Sequence, residues 1–445
     1  METCNKMEYQ PINRLIIKMC LPPMISMFLQ YSYNMIDSMF VACINEQALA
    51  AVSLSFPITN LMNSLSVWIG VGINVLIAGY LGQKRQDKAN SVVTMGLILS
   101  LSVGIIVNII VLLTMTPYYS AFTEDSRIFE YSCIYMQICA FMQVPNMVHI
   151  AIQKMLQATG NMISPMWFQI AGVVFNLVFD PLLIFGIGPF PQMGIKGAAL
   201  ATVLGYVLSM LISLYVLIFT KQKVKLKIKS FVFDVHMFKN IFGYGLPSFA
   251  MNVLSSLMIT FVNLFLVTYS DTAVAFFGAY FKVQQLIFMS VNGLIQGCLP
   301  IMRYNYGAKK YERVNRTYQV LFPRQILLLF SASEKMCSVG IPAIRIMALS
   351  YCFGGVSTMI ATYVQAMGKI VPSMVIQVLR QGVLLFPLMF PPCVFLFIRF
   401  LLCVKRCSQH FFVILPKTAC LILLCDSHIM TTHCGHSALA PRGYG

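Results

Sequence analysis

The sequence predicts an all-α polytopic membrane protein of two six-helix lobes related by a pseudo-two-fold repeat, and three observations predict it. Charged residues make up only 10% of the chain and hydrophobic ones 58%, whereas a soluble domain carries about a quarter charged residues. Apolar runs of the roughly 20 residues needed to cross a bilayer recur along most of the length. The chain also matches itself when slid by 225 residues. Lipid offers backbone polar groups no partner, so the spans must be helices. Barrel strands would alternate polar and apolar residues, and these runs do not.

In chain order the runs are 15–41, 49–81, 92–115, 134–156, 162–187 and 197–219, which make residues 1–220 an N-lobe of six spans. The first run is long and lacks a small-residue cleavage site, so it reads as a span and not a signal peptide. Residues 221–240 form a basic linker with lysines at 221, 223, 225, 227, 229 and 239. The runs 241–268, 273–302, 337–367 and 370–389 make residues 241–390 an incomplete C-lobe. Residues 391–445 are a divergent tail. Loop charge sets the orientation. Lys84, Arg85, Lys88, Lys154, the linker lysines, Arg303, Lys309, Lys310, Arg313 and Arg316 all fall in even-numbered connections. The odd connections hold mainly Glu124, Asp125, Glu130 and Asp271. The positive-inside rule then puts the N-terminus in the cytoplasm. The net charge of +17 is loop charge, and no basic soluble module suggests nucleic-acid binding.

The repeat aligns Leu21-Pro22 with Leu246-Pro247, Gly72 with Gly297, and the loop 82–90 with 307–315. Further on, Gln157-Ala158-Thr159-Gly160 meets Gln365-Ala366-Met367-Gly368 at an offset of 208, so the second copy lacks 17 residues between Asn315 and Phe330. Helix nine is therefore truncated, and the last helix is degenerate. His428, His433, Cys434 and His436 could be drawn as a zinc site. The abrupt change in composition favours a corrupted tail instead, and no metal is expected.

Among the acids only Asp37 and Asp180 sit inside apolar runs. A carboxylate there costs about 2.5–3.5 kcal/mol on insertion scales and is a functional candidate by default. Gln30, Asn34 and Asp37 follow i, i+4, i+7 spacing on one helix face, and Asn176 and Asp180 are likewise i, i+4. Their repeat counterparts are Val262, Leu384 and Leu388, so the scaffold was duplicated without the acids. His149 reads as a hydrogen-bonded interior histidine. The Gly70–Gly72 pair reads as close helix packing. No Walker, HExxH, GxSxG or CxxC motif occurs, so neither enzymatic activity nor a catalytic residue nor a cofactor is expected.

The segments YNMIDSMFVA (33–42), LAAVSLSFPITNL (49–61), LGQKRQDKAN (81–90), LQATGN (156–161), NLVFDPLLIFG (176–186), MGIKGAALATV (193–203) and YNYGAKKYERVNR (304–316) together resemble the multidrug and toxin extrusion (MATE) family of antiporters. The resemblance covers most of residues 12–389. It implies a twelve-helix fold whose two lobes open alternately, exporting amphipathic organic cations across the cell (inner) membrane in exchange for protons or sodium ions. It places Asp37, Asn34, Asn176 and Asp180 at the coupling-ion site, with Gln30, Tyr33 and Met27 as candidates for the substrate cleft. The seventh helix, where some members carry an acid, has Asn252 and Asn263 instead. The expected partners are small organic cations and the lipid bilayer, with the protein acting as a monomer. Two other readings stand beside this one. A flippase for lipid-linked saccharides would show a cationic cleft, for which Lys282, Arg345 and Arg380 are the interior candidates. A non-functional product of a damaged exporter gene would explain the deletion and the tail.

Overall fold

The computed structural model describes residues 6–227, 233–267, 292–321 and 358–379, with backbone alone at 257–267 and 318–321. The part of the 315–330 deletion region from 322 onward, the tail 391–445 with its histidines, and Lys282, Arg345, Arg380, Leu384 and Leu388 lie outside these residues.

All the described elements are helices. They are α1 (Lys6–Tyr9), α2 (Ile12–Ala42), α3 (Glu46–Gly82), α4 (Gln86–Phe122), α5 (Ser126–Ala140), α6 (Gln143–Ala158), α7 (Ile163–Phe185), α8 (Ile195–Phe219) and α9 (Val235–Val267). After these come α10 (292–307), α11 (Tyr311–Leu321), α12 (358–366) and α13 (Ile370–Val378). Five of the described helices are long and apolar enough to cross a membrane: α2, α3, α4, α7 and α8. On α4, Leu101, Ile105, Ile109 and Leu113 are exposed along one stripe, which is the side expected to meet lipid. The predicted single span over 134–156 is instead two helices, α5 and α6, broken at Phe141-Met142. Pro145 follows the break; it has no N–H to continue a helix and disfavours helical geometry just before it.

The repeat is visible in the backbone. Lys84 and its counterpart Lys309 both take a left-handed φ of 59°, a conformation that costs a non-glycine residue about 1–2 kcal/mol. Gly160 and Gly368 match in the same way, at φ 89° and 82°. The two copies meet through glycines. A Cβ on Gly72 would collide with the Ile241 carbonyl, one on Gly82 with the Tyr304 carbonyl, and one on Gly307 with the Gly79 carbonyl. The 79/82 and 304/307 positions are thus repeat partners crossing each other. Trp68 of α3 donates to the Phe242 carbonyl at 2.7 Å and stacks on Phe249 of α9.

Two cations counted as loop charge lie inside the bundle. Lys154 belongs to α6 and is buried, and so does Arg303 of α10. The Arg303 guanidinium donates to the Val75 carbonyl on α3 and the Ala366 carbonyl on α12, at 3.2 and 3.0 Å. It also lies near the rings of Tyr244 and Tyr306. The linker is held over its first residues. Lys225 N donates to Asn90 Oδ1 and Lys227 N to Thr94 Oγ1, at 2.8 and 3.1 Å, and Lys227 pairs with Asp87.

At the same end α1 is tied to the 304–313 segment. Glu8 accepts from Lys310 Nζ at 2.9 Å and from the Tyr304 hydroxyl at 3.2 Å. Asn305 and Arg313 donate to the Met7 carbonyl. The Lys310 hydrogen bond holds the Glu8 carboxyl below its ordinary 4.5. A lowered carboxylate stabilises the fold above its unfolded pKa, and that support is lost as pH falls through the folded value. Glu8→Gln should therefore cost about 0.2–1 kcal/mol at neutral pH. In thermal unfolding of purified protein, the difference from wild type should close as pH drops below about 4.5.

Candidate functional site

Helix α2 packs against α7, and a row of amides sets their register. Gln153 of α6 donates to Gln169 Oε1 at 2.9 Å, and Gln169 of α7 donates to Gln30 Oε1 of α2 at 2.6 Å. Two turns along, the carboxyls of Asp37 and Asp180 lie side by side. Asp180 has 0% exposure and Asn176, one turn before it, 3%. Gly205 of α8 makes room for Asn176, since a Cβ there would come 3.3 Å from the Asn176 Cβ. Tyr33 faces the pair with Thr202 beside its hydroxyl, and Tyr135 and Cys139 of α5 lie on the Asp37 side.

Three acceptor atoms of this set lack a donor. Both Asp180 oxygens and Asn176 Oδ1 are buried with no hydrogen-bond partner. Two adjacent carboxylates repel, and each is costly in a low-dielectric interior. They hydrogen-bond to one another only when one carries a proton, and otherwise a donor such as the Tyr33 hydroxyl or a small cation must sit among the oxygens. Among the described residues no cluster has the make-up of a transition-metal site.

The structure brings Asp37, Asp180, Asn176 and Tyr33 together. It does not bring in Asn34, which is exposed and engaged through its carbonyl by Ser38. Helical residues advance about 100° each, so Tyr33, Asp37 and Gln30 span an arc toward α7 and Asn34 falls beyond its edge. Of the cleft candidates, Gln30 is tied to Gln169, and Met27 Sδ accepts from Gln296 of α10 at 3.1 Å. His149 departs from expectation. Both its ring nitrogens are buried without a partner, and its ring meets Phe168 edge-on. Sequence reasoning missed the Gln153–Gln169–Gln30 row, whose one signal was three glutamines in apolar runs.

The MatE family model matches residues 22–182, 247–322 and 318–390. The chain belongs to this family. It is 25% identical over 405 residues to the multidrug export protein MepA of Staphylococcus haemolyticus, covering 86% of this chain and 87% of that one. It is 24% identical over 400 residues to the FAD transporter of Shewanella oneidensis, at 85% and 87% coverage. Among solved structures, an outward-facing multidrug resistance MATE transporter of the MOP superfamily superposes with a TM-score of 0.79 at 23% identity, covering 86% of this chain and 89% of that one. A MOP superfamily transporter from Pyrococcus furiosus, described as having a binding pocket of reverse polarity, gives 0.74 at 22% identity, with 84% and 87% covered. The chain is thus a multi-pass helical membrane protein with the MATE fold.

The buried acid should cost stability. Asp180→Leu, which installs the residue found at its repeat counterpart, should raise unfolding stability by about 1–4 kcal/mol, read as a higher midpoint in detergent. An unchanged or lower midpoint would mean that the carboxyl is structurally satisfied.

Proposed function

We propose that this MatE member is a secondary active exporter that moves small amphipathic organic cations across the cell membrane in exchange for a proton or sodium ion. Its N-terminus is cytoplasmic. The observation that carries the reading is the side-by-side pair of Asp37 and Asp180, where the Asp180 carboxyl is buried with Asn176 and its oxygens lack a donor. An ion arriving from outside completes the set and is held by Asp37 and Asp180, with Asn176 Oδ1 as a further acceptor. Its arrival changes how α2 packs on α7. Met27 and Gln30 on the same helix contact α10 and α7, so a shift of α2 alters the surface offered to cargo. Ion and cargo need not touch, because coupling requires only that both bias one conformational equilibrium. The protein acts on its cargo as a carrier and not as a catalyst. The names of the MepA relatives support drug-like cargo, and the positive-inside distribution of Lys84, Arg85, Lys309 and Lys310 supports the orientation.

The test is efflux of a fluorescent organic cation from proteoliposomes under an imposed proton or sodium gradient. Asp37→Asn should lower gradient-driven efflux at least tenfold, and the gradient to which wild type responds identifies the ion. Efflux by Asp37→Asn at the wild-type rate rejects the assignment.

A further inference from the structure

A second polar site lies away from the carboxyl pair. Where α3 and α6 meet α9, α10, α12 and α13 there is a cavity of about 60 Å³, room for about four to six waters. Asn74, Lys154, Gln157, Gln296, Gln365 and Gln377 line it, and among the described residues no acid does. Lys154 is 6% exposed. Its stem crosses Gly70, where a Cβ would come 3.0 Å from the lysine Cγ. Its Nζ donates to Gln157 Oε1 at 3.2 Å, and among the described residues no carboxylate reaches it. An ammonium has three donors, and one buried without a counter-charge is strongly unfavourable. Two lining acceptors, Asn74 Oδ1 and Gln377 Oε1, are buried without a donor.

The repeat sharpens the point. Gln157 and Gln365 occupy matching positions, and Lys154 matches Thr362, which also lines the cavity. The walls were duplicated and the charge was not. One positive group with spare donors, facing acceptors that lack them, fits an occupant that is negative and also donates.

We propose that this cavity binds an anionic head group carrying a hydrogen-bond donor of its own, such as a hydroxy-carboxylate or a protonated phosphate. Lys154 is its counter-charge, and Asn74 and Gln377 accept its donor. The group's place on a transported zwitterion rests on the exporter reading; the binding does not.

The test is the thermal unfolding midpoint of the purified full chain with salicylate, benzoate, methyl salicylate or inorganic phosphate at constant ionic strength. Salicylate should raise the midpoint more than benzoate, and methyl salicylate should not raise it. Lys154→Gln should abolish the salicylate shift and Lys154→Arg retain part of it, while Gln377→Leu erases the preference for salicylate over benzoate. A shift with phosphate but not salicylate assigns the site to the free ion. Equal shifts in wild type and Lys154→Gln, or no shift with any of the anions, overturn the proposal. Asp37→Asn should leave these shifts intact, so a wild-type chain that binds salicylate but exports nothing defeats the exporter reading and not the site.

Discussion

Backbone laid directly on backbone lets α3 serve as the seam of this molecule. Between helices in lipid there is little hydrophobic drive, so association depends on close approach and on polar contacts. Gly72 and Gly82 on α3, with Gly307 on α10, each bring a main chain against a neighbouring carbonyl, and Gly79 leaves room for the Arg303 guanidinium. That proximity places Trp68 within reach of the Phe242 carbonyl and sets Asn74 at the wall of the interior cavity. A side chain at any of these glycines would push the two repeats apart and dismantle the polar contacts between them.

The described polar interior is distributed unevenly over a scaffold that was copied. Asp37, Asn176, Asp180 and Lys154 all belong to the first repeat; the described equivalent of Lys154 is Thr362, and the buried charge described in the second repeat is Arg303. The anionic cluster lies among α2, α7 and α8, and the lysine faces the second repeat from α6. Among the described residues the carboxyl pair and the buried lysine are therefore kept in separate compartments, neither neutralising the other.

The family, the spans of α2, α3, α4, α7 and α8, and the acid pair were legible in the sequence, the last because a carboxylate in an apolar run has few reasons to be there. Depth was harder to read. Lys154 and Arg303 carry the charge of a cytoplasmic loop residue, and only tertiary packing reveals that one lies over a glycine and the other between carbonyls. Spacing placed Asn34 with Asp37, but the face turned to α7 is centred on the Tyr33 side of Asp37, which leaves Asn34 past its edge. His149 was expected to find a partner and instead sits against Phe168, since sequence shows which groups can bond and not whether a donor is in range. The break at 141–142 was signalled by Pro145 and hidden by unbroken hydrophobicity.

Arg303 fastens α3 to α12 through the carbonyls of Val75 and Ala366, with Tyr244 and Tyr306 beside it. Prising these helices apart strips the guanidinium of both carbonyl contacts at once, and only incoming water can replace them. The contact therefore behaves as a hydration-controlled bolt.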